Sequence, residues 1–190
     1  KNHIRNAVIC SKEMCFALMG ISINDTLLDT IVNDMIQKTV EINNCACSAI
    51  ISNPLSDYLK LADTYQKLKE GFHIRMIRKQ QWQCIFLDEL QYDRIMLHIS
   101  KDTEVHQFIR CKLGPLVEYD RAHDTQLLET LEALIQNHNS RKLAAESLFL
   151  HRNTMVHRIN KIEEVLHCSL DDTEIMEQLE FAIKMKMYAH

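Results

Sequence analysis

Apolar residues recur with two different rhythms along the chain. In the first half, residues 7–10 and 15–21 are short apolar runs separated by Ser11-Lys12-Glu13-Met14, a spacing that suits a β-hairpin. Leu27, Ile31, Met35 and Ile36 then recur at helical spacing, with Asp25 placed to cap the start. A strand over residues 45–52 follows and is broken at Asn53-Pro54. Leu55, Leu59, Ala62, Tyr65 and Leu68 mark a second amphipathic helix, expected to stop at Gly71, and residues 83–87 give a further strand. The order β-β-α-β-α-β predicts an α/β layer with helices packed on one sheet.

After Glu89 only the helical rhythm remains, punctuated by polar turns and by Gly114-Pro115. A domain boundary is expected between about residues 88 and 122. Beyond it, four helices are predicted: Leu127, Leu131, Leu134 and Ile135; Leu143, Ala144 and Leu148; Met155, Ile159, Ile162 and Leu166; and Ile175, Leu179, Ala182 and Ile183. Asp171-Asp172-Thr173-Glu174 reads as the cap of the last, with Asp171 and Glu174 in capping-box spacing.

Composition narrows the classes. With 3 Gly and 2 Pro in 190 residues there are too few turn-formers for an all-β sandwich or barrel, so helix should dominate. No apolar run approaches membrane-spanning length, and the first twenty residues lack the pattern of a secretory signal, so a cytoplasmic protein without a membrane span is expected. The 7 cysteines are odd in number and contain no CxxC pair, so neither a disulfide framework nor a zinc site is predicted; Cys45 and Cys47 read as buried thiols on one strand face. The 10 histidines are dispersed. With no nucleophile-base pair, glycine-rich phosphate loop or metal cluster, the chain does not read as an enzyme, and no cofactor is expected.

Charge is uneven. Residues 138–162 hold Arg141, Lys142, Arg152, Arg158 and Lys161 against the single acid Glu146, a positive island on a chain of net charge −4. Such an island is the footprint of phosphate contacts, because each neutralised phosphate releases counterions. It coincides with a short helix from Leu143, a turn at Phe149-Leu150-His151, and a second helix beginning near Arg152. The apolar set Met155, Ile159, Ile162 and Leu166 should turn Asn153, Thr154, His157, Arg158 and Lys161 away from the core. The expected DNA-binding residues are Arg141, Lys142, His151, Arg152, Asn153, Thr154, His157, Arg158 and Lys161. Among them Asn153 and Arg158 are placed to read bases and Lys161 to hold phosphate. Asn153 and Thr154 also have the chemistry of helix caps.

Three blocks, Leu113-Gly114-Pro115-Leu116 with Tyr119-Asp120, Leu127-Leu128-Glu129-Thr130-Leu131, and His151-Arg152-Asn153-Thr154 with Arg158-Ile159, resemble the carboxy-terminal domain of the PucR/CdaR family of bacterial transcriptional regulators of purine and sugar-diacid catabolism. The resemblance covers about residues 113–166 and implies a Fis-like helix-turn-helix whose recognition helix opens at His151 to Thr154. The chain departs from it at Val156-His157, and at Phe149 where many helix-turn-helix turns carry Gly. More weakly, residues 61–71 and the preceding hairpin resemble the family's degenerate GGDEF-like domain. With Ser11-Lys12-Glu13-Met14 in place of the signature loop, one carboxylate remains and both glycines are absent, so cyclase activity is not expected.

The predicted fold is therefore α+β and mostly helical. A partial GGDEF-like α/β layer is expected over residues 1–90, connecting helices over 91–121, and an all-α helix-turn-helix domain over 122–190. The expected function is sequence-specific binding of double-stranded DNA, as a homodimer, by part of a longer regulator whose small-molecule effector binds an upstream domain. The alternative is a non-catalytic sensing or dimerisation module in which the helix-turn-helix is a protein-interaction surface.

Overall fold

A computed structural model describes residues 7–10, 15–18, 25–43, 48–55, 57–78 and 84–189. Strands β1 (Ala7–Cys10) and β2 (Cys15–Leu18) pair antiparallel, with Cys10 opposite Cys15. The hairpin is thus present, while residues 11–14, on which the cyclase reading rests, lie outside the described residues. Strand β3 (Ala49–Ile51) pairs in parallel with β4 (Cys84–Phe86), Ile50 facing Ile85. The predicted single sheet is corrected: among the described residues the strands form two separate two-stranded ribbons. Apolar alternation specifies that a segment is extended but not which strand it meets. Strand β3 is also shorter than the predicted 45–52, and Cys45 and Cys47 lie outside the described residues.

Helix α1 (Asp25–Asn43) takes in Asp25 as its first residue. It buries Val32 and Ile36, whereas Met35, predicted as core, is 50% exposed. Asp57 caps a 3-10 turn, Tyr58–Lys60, by accepting from Leu59 N at 2.9 Å, and leads into α2 (Leu61–Arg78). Leu59 stays exposed on that turn. Gly71 does not stop α2, which continues for seven residues. Its missing Cβ matters instead for packing: an added carbon would lie 2.7 Å from Ile50 Cδ1 and 3.1 Å from Leu90 Cδ1, so glycine lets the helix approach β3 closely.

Helices α3 (Gln91–Ile99) and α4 (Thr103–His123) follow. Helix α4 runs unbroken through Gly114-Pro115, because the exposed proline costs one backbone bond while a 21-residue helix retains its packed face of Leu113 and Leu116. The four carboxy-terminal helices are where periodicity placed them: α5 (Leu127–Gln136), α6 (Arg141–Ser147), α7 (Arg152–Leu166) and α8 (Thr173–Tyr188). Leu127, Leu131, Ala144, Met155, Ile159, Ile162, Leu179 and Ala182 close one apolar core with Leu113 and Leu116 of α4. Full burial stabilises each large side chain by about 1.5–3 kcal/mol. Leu143 is the exception, 48% exposed on the outer face of α6. The cap of α8 is Asp172, which accepts from Glu174 N at 2.9 Å, and the predicted Asp171–Glu174 box gives way to an Asp171 that pairs with Arg141.

The last turn of α8 leaves this core and enters a second one, Met185 and Tyr188 packing with Ile74 of α2, Leu90 just before α3 and Leu97 within it. A buried polar node ties the same junction. Asp93, 2% exposed, accepts from Arg78 Nε at 2.9 Å and from the Tyr188 hydroxyl, and Ser100 Oγ donates toward the Tyr188 carbonyl at 3.0 Å.

Candidate nucleic-acid interface

Helix α7 is positioned from its foundations upward. Asp120, at the end of α4, accepts from Leu127 N at 2.8 Å and Leu128 N at 2.9 Å, so one carboxylate satisfies the orphan amides that open α5. Helix α5 ends in a tight turn in which His138 and Asn139 take positive φ, and Ser140 caps α6 by accepting from Leu143 N. Ala144 and Ala145 are buried, which lets α6 sit close to α5 and α7. After Ser147 the chain turns through Phe149 at φ 54°, closed by Leu150 N donating to Ala145 O at 2.8 Å. His151 then caps α7, its Nδ1 accepting from Asn153 N at 3.3 Å. The capping role open to Asn153 and Thr154 is thus taken by His151, and both residues lie within α7.

The geometry divides the nine expected contact residues into two sets. His151, Arg152, Asn153, Thr154 and His157 are exposed around the first turns of α7; His157 acts electrostatically on Glu164, and among the described residues the Arg152, Asn153 and Thr154 side chains make no intramolecular hydrogen bond or ion pair. Arg158 is turned inward instead. Its guanidinium donates to Thr130 Oγ1 at 3.1 Å and Gln126 Oε1 at 3.2 Å, bolting α7 to the start of α5, so the expectation that it faces away with Asn153 is corrected. The cause is the residue's place on the flank of the apolar stripe, beside a fully buried Thr130. Lys161 is also held, its Nζ 2.7 Å from Glu164 Oε2 and over the Tyr119 ring. The hydrogen bond from Lys161 lowers the Glu164 pKa, and its acceptance by Glu164 raises that of Lys161.

On α6, Arg141 pairs with Asp171 at 2.9 Å and Lys142 approaches Glu146 at 4.0 Å, both at exposed positions where a pair is worth little and a phosphate can replace the acid. One candidate escaped the sequence reading. Asn160 is exposed seven residues after Asn153, two turns along the same face, and that spacing was its only signal. Among the described residues there is no group of three metal-ligating side chains and no helix long and apolar enough to cross a membrane.

A short helix, a tight turn and a capped helix with an exposed polar amino-terminal end form a helix-turn-helix. Residues 127–185 match the family model of the PucR C-terminal helix-turn-helix domain. The PucR-type match begins at α5, just after the Asp120 cap, and ends within α8. The chain is 31% identical over 68% of its length to the proline-responsive transcriptional activator PutR of Bacillus subtilis, and 32% identical over 48% to the purine catabolism regulatory protein of the same organism. It is 24% identical over 70% of its length to the carbohydrate diacid regulator of Escherichia coli. These similarities support the PucR/CdaR family. The matched segments make up 32%, 17% and 34% of those relatives, so the chain corresponds to about a third of their length at most.

Proposed function

We propose that the chain is the DNA-binding output part of a transcriptional regulator of a catabolic operon, acting as a cytoplasmic homodimer under a small-molecule effector sensed elsewhere in a longer protein. The amino-terminal hairpin and the parallel β3-α2-β4 unit fit a degenerate GGDEF-like region before about residue 90, followed by connecting helices and the PucR-type domain from about residue 122. The observation that carries the reading is the exposed amino-terminal end of α7, where Arg152, Asn153 and Thr154 stand without side-chain partners among the described residues, on a domain whose relatives bear the names of regulators.

Arg152 and Asn153 have the donor geometry to meet guanine and adenine edges, and Arg141 and Lys142 sit on the preceding helix where backbone phosphate is met. With Arg158 and Lys161 hydrogen-bonded to Gln126, Thr130 and Glu164, about three cationic contacts are expected per module, from Arg141, Lys142 and Arg152, for a log-log salt slope of roughly −3. A mobility-shift series on a random duplex pool checks this. Binding that weakens along that slope supports the reading, while no shift at low salt by either this chain or its full-length regulator overturns it. A protein-interaction surface is favoured by one observation, the pairing of Arg141 with Asp171, and would show as self-association or partner binding without DNA.

A further inference from the structure

Phe149 breaks two local rules at once. It adopts φ 54°, a left-handed conformation in which a Cβ crowds the backbone and which glycine fills freely, and it is 97% exposed, more than any other large apolar residue described. The core does not use its ring: the neighbours Leu148 and Leu150 turn inward and pack, while Phe149 points out between them. Phe149 N donates to Glu146 O at 3.1 Å and Leu150 N to Ala145 O at 2.8 Å, so the turn fixes the backbone from which the ring projects, two residues before the His151 cap of α7. A residue that is conformationally disfavoured and exposed, at a defined place beside a candidate site, points to a ligand that covers it.

Resting on the DNA-binding reading above, we propose that Phe149 is a DNA contact that sets affinity and base preference. Its ring would cover apolar surface of the duplex, either a thymine 5-methyl group or a deoxyribose face, next to the bases met by Arg152 and Asn153. The surroundings select nucleic acid over a protein partner. Within two to four residues stand His151, Arg152 and Asn153, all exposed, and Arg152 is a cation without an acid partner among the described residues on a chain of net charge −4. The other exposed apolar residues of α6 and α7 are the half-exposed Leu143 and Val156, at 48% and 37%, too little to form an apolar seam with a second protein. A single aromatic ring among cationic and amide side chains is instead the composition that meets a thymine methyl or a sugar beside phosphate.

The test starts from a duplex selected by the wild-type chain and compares wild type, Phe149→Gly and Asn153→Ala by fluorescence anisotropy. Glycine suits the turn, so Phe149→Gly should melt at or above the wild-type temperature, a result that a structural role for the ring would reverse. Its affinity for the selected duplex should fall roughly five- to tenfold. Replacing thymines one at a time by deoxyuridine removes single methyl groups. A replacement that weakens wild type but not Phe149→Gly assigns the ring to that methyl, and a loss in Phe149→Gly with no sensitive thymine assigns it to sugar. Unchanged affinity in Phe149→Gly overturns the proposal, as does a change confined to self-association in sedimentation. If Asn153→Ala weakens binding while Phe149→Gly does not, only the role of Phe149 falls; if wild type binds no duplex, the DNA-binding reading falls with it.

Discussion

Two regions of the carboxy-terminal helices carry polar side chains in opposite ways. At the end of α8, Tyr188 and Asp93 are buried and meet each other and Arg78, closing a node that joins α2, α3 and α8. At the start of α7, Arg152, Asn153 and Thr154 stand in water without side-chain partners among the described residues. Burial forces the first arrangement, because an unpaired charge out of water costs several kcal/mol. Nothing in the fold demands the second. Polar groups that hold the molecule together are therefore recognisable by their partners, and those left over, grouped at one helix end, mark the surface available to a ligand. Arg158 lies between the two regions in sequence and in character, half-buried and hydrogen-bonded to Thr130 and Gln126.

The contrast breaks if the node proves dispensable. Asp93→Ala leaves Arg78 and the Tyr188 hydroxyl without their acceptor and should cost about 3–5 kcal/mol, read by chemical denaturation. A loss below about 1 kcal/mol would show that the node does not hold the junction. Tyr188→Phe keeps the ring in its apolar seat and removes one bond to a carboxylate, for about 1.5–3 kcal/mol. Burial, then the hydrogen bond to Asp93, raises the Tyr188 pKa above its ordinary 10.0. The folded state thus favours the neutral phenol, and the stabilisation is complete below about pH 10 and lost as pH rises beyond it. Stability of the wild type should fall more steeply above that pH than stability of Tyr188→Phe, and parallel curves would contradict the assignment.

Arg158 sharpens the comparison. Arg158→Ala should cost about 1–2 kcal/mol of stability by releasing α7 from Gln126 and Thr130, while leaving base preference in a binding-site selection unchanged. A variant of wild-type stability with altered base preference would return Arg158 to the reading face. Asn153→Ala is the smallest expected effect on folding, within about 0.5 kcal/mol, since His151 supplies the cap. A stability loss near 1 kcal/mol would mean that Asn153 serves the helix start after all.

How much of this was legible before the fold was known follows from the range of the interactions. The helices α5 to α8 were readable because Leu127-Leu131-Leu134 and Met155-Ile159-Ile162 carry their burial in spacing alone. The turn at Phe149 was readable from chain position, and the glycine that many helix-turn-helix turns carry there already pointed to its positive φ. Helical periodicity turns Arg158 and Lys161 from the core only to within a flank, and Thr130, Gln126 and Glu164 decide the rest. Gly71 looked like a helix stop because its partner, Ile50, lies 21 residues earlier on another element. Asp93 gave no sequence signal, since an acid between Tyr92 and Arg94 on a helix ordinarily faces water. The pairing of β3 with β4 was hidden for the same reason as any long-range register.

The central claim, that the unpartnered start of α7 meets DNA while its middle serves the fold, is tested most directly by salt titrations of DNA affinity for wild type, Arg152→Ala and Lys161→Ala. Removing Arg152 should flatten the log-log slope by about one unit, and removing Lys161, engaged with Glu164 and Tyr119, should leave it unchanged. A slope that flattens with Lys161→Ala but not with Arg152→Ala, or the absence of salt-dependent binding in all three, would contradict the account.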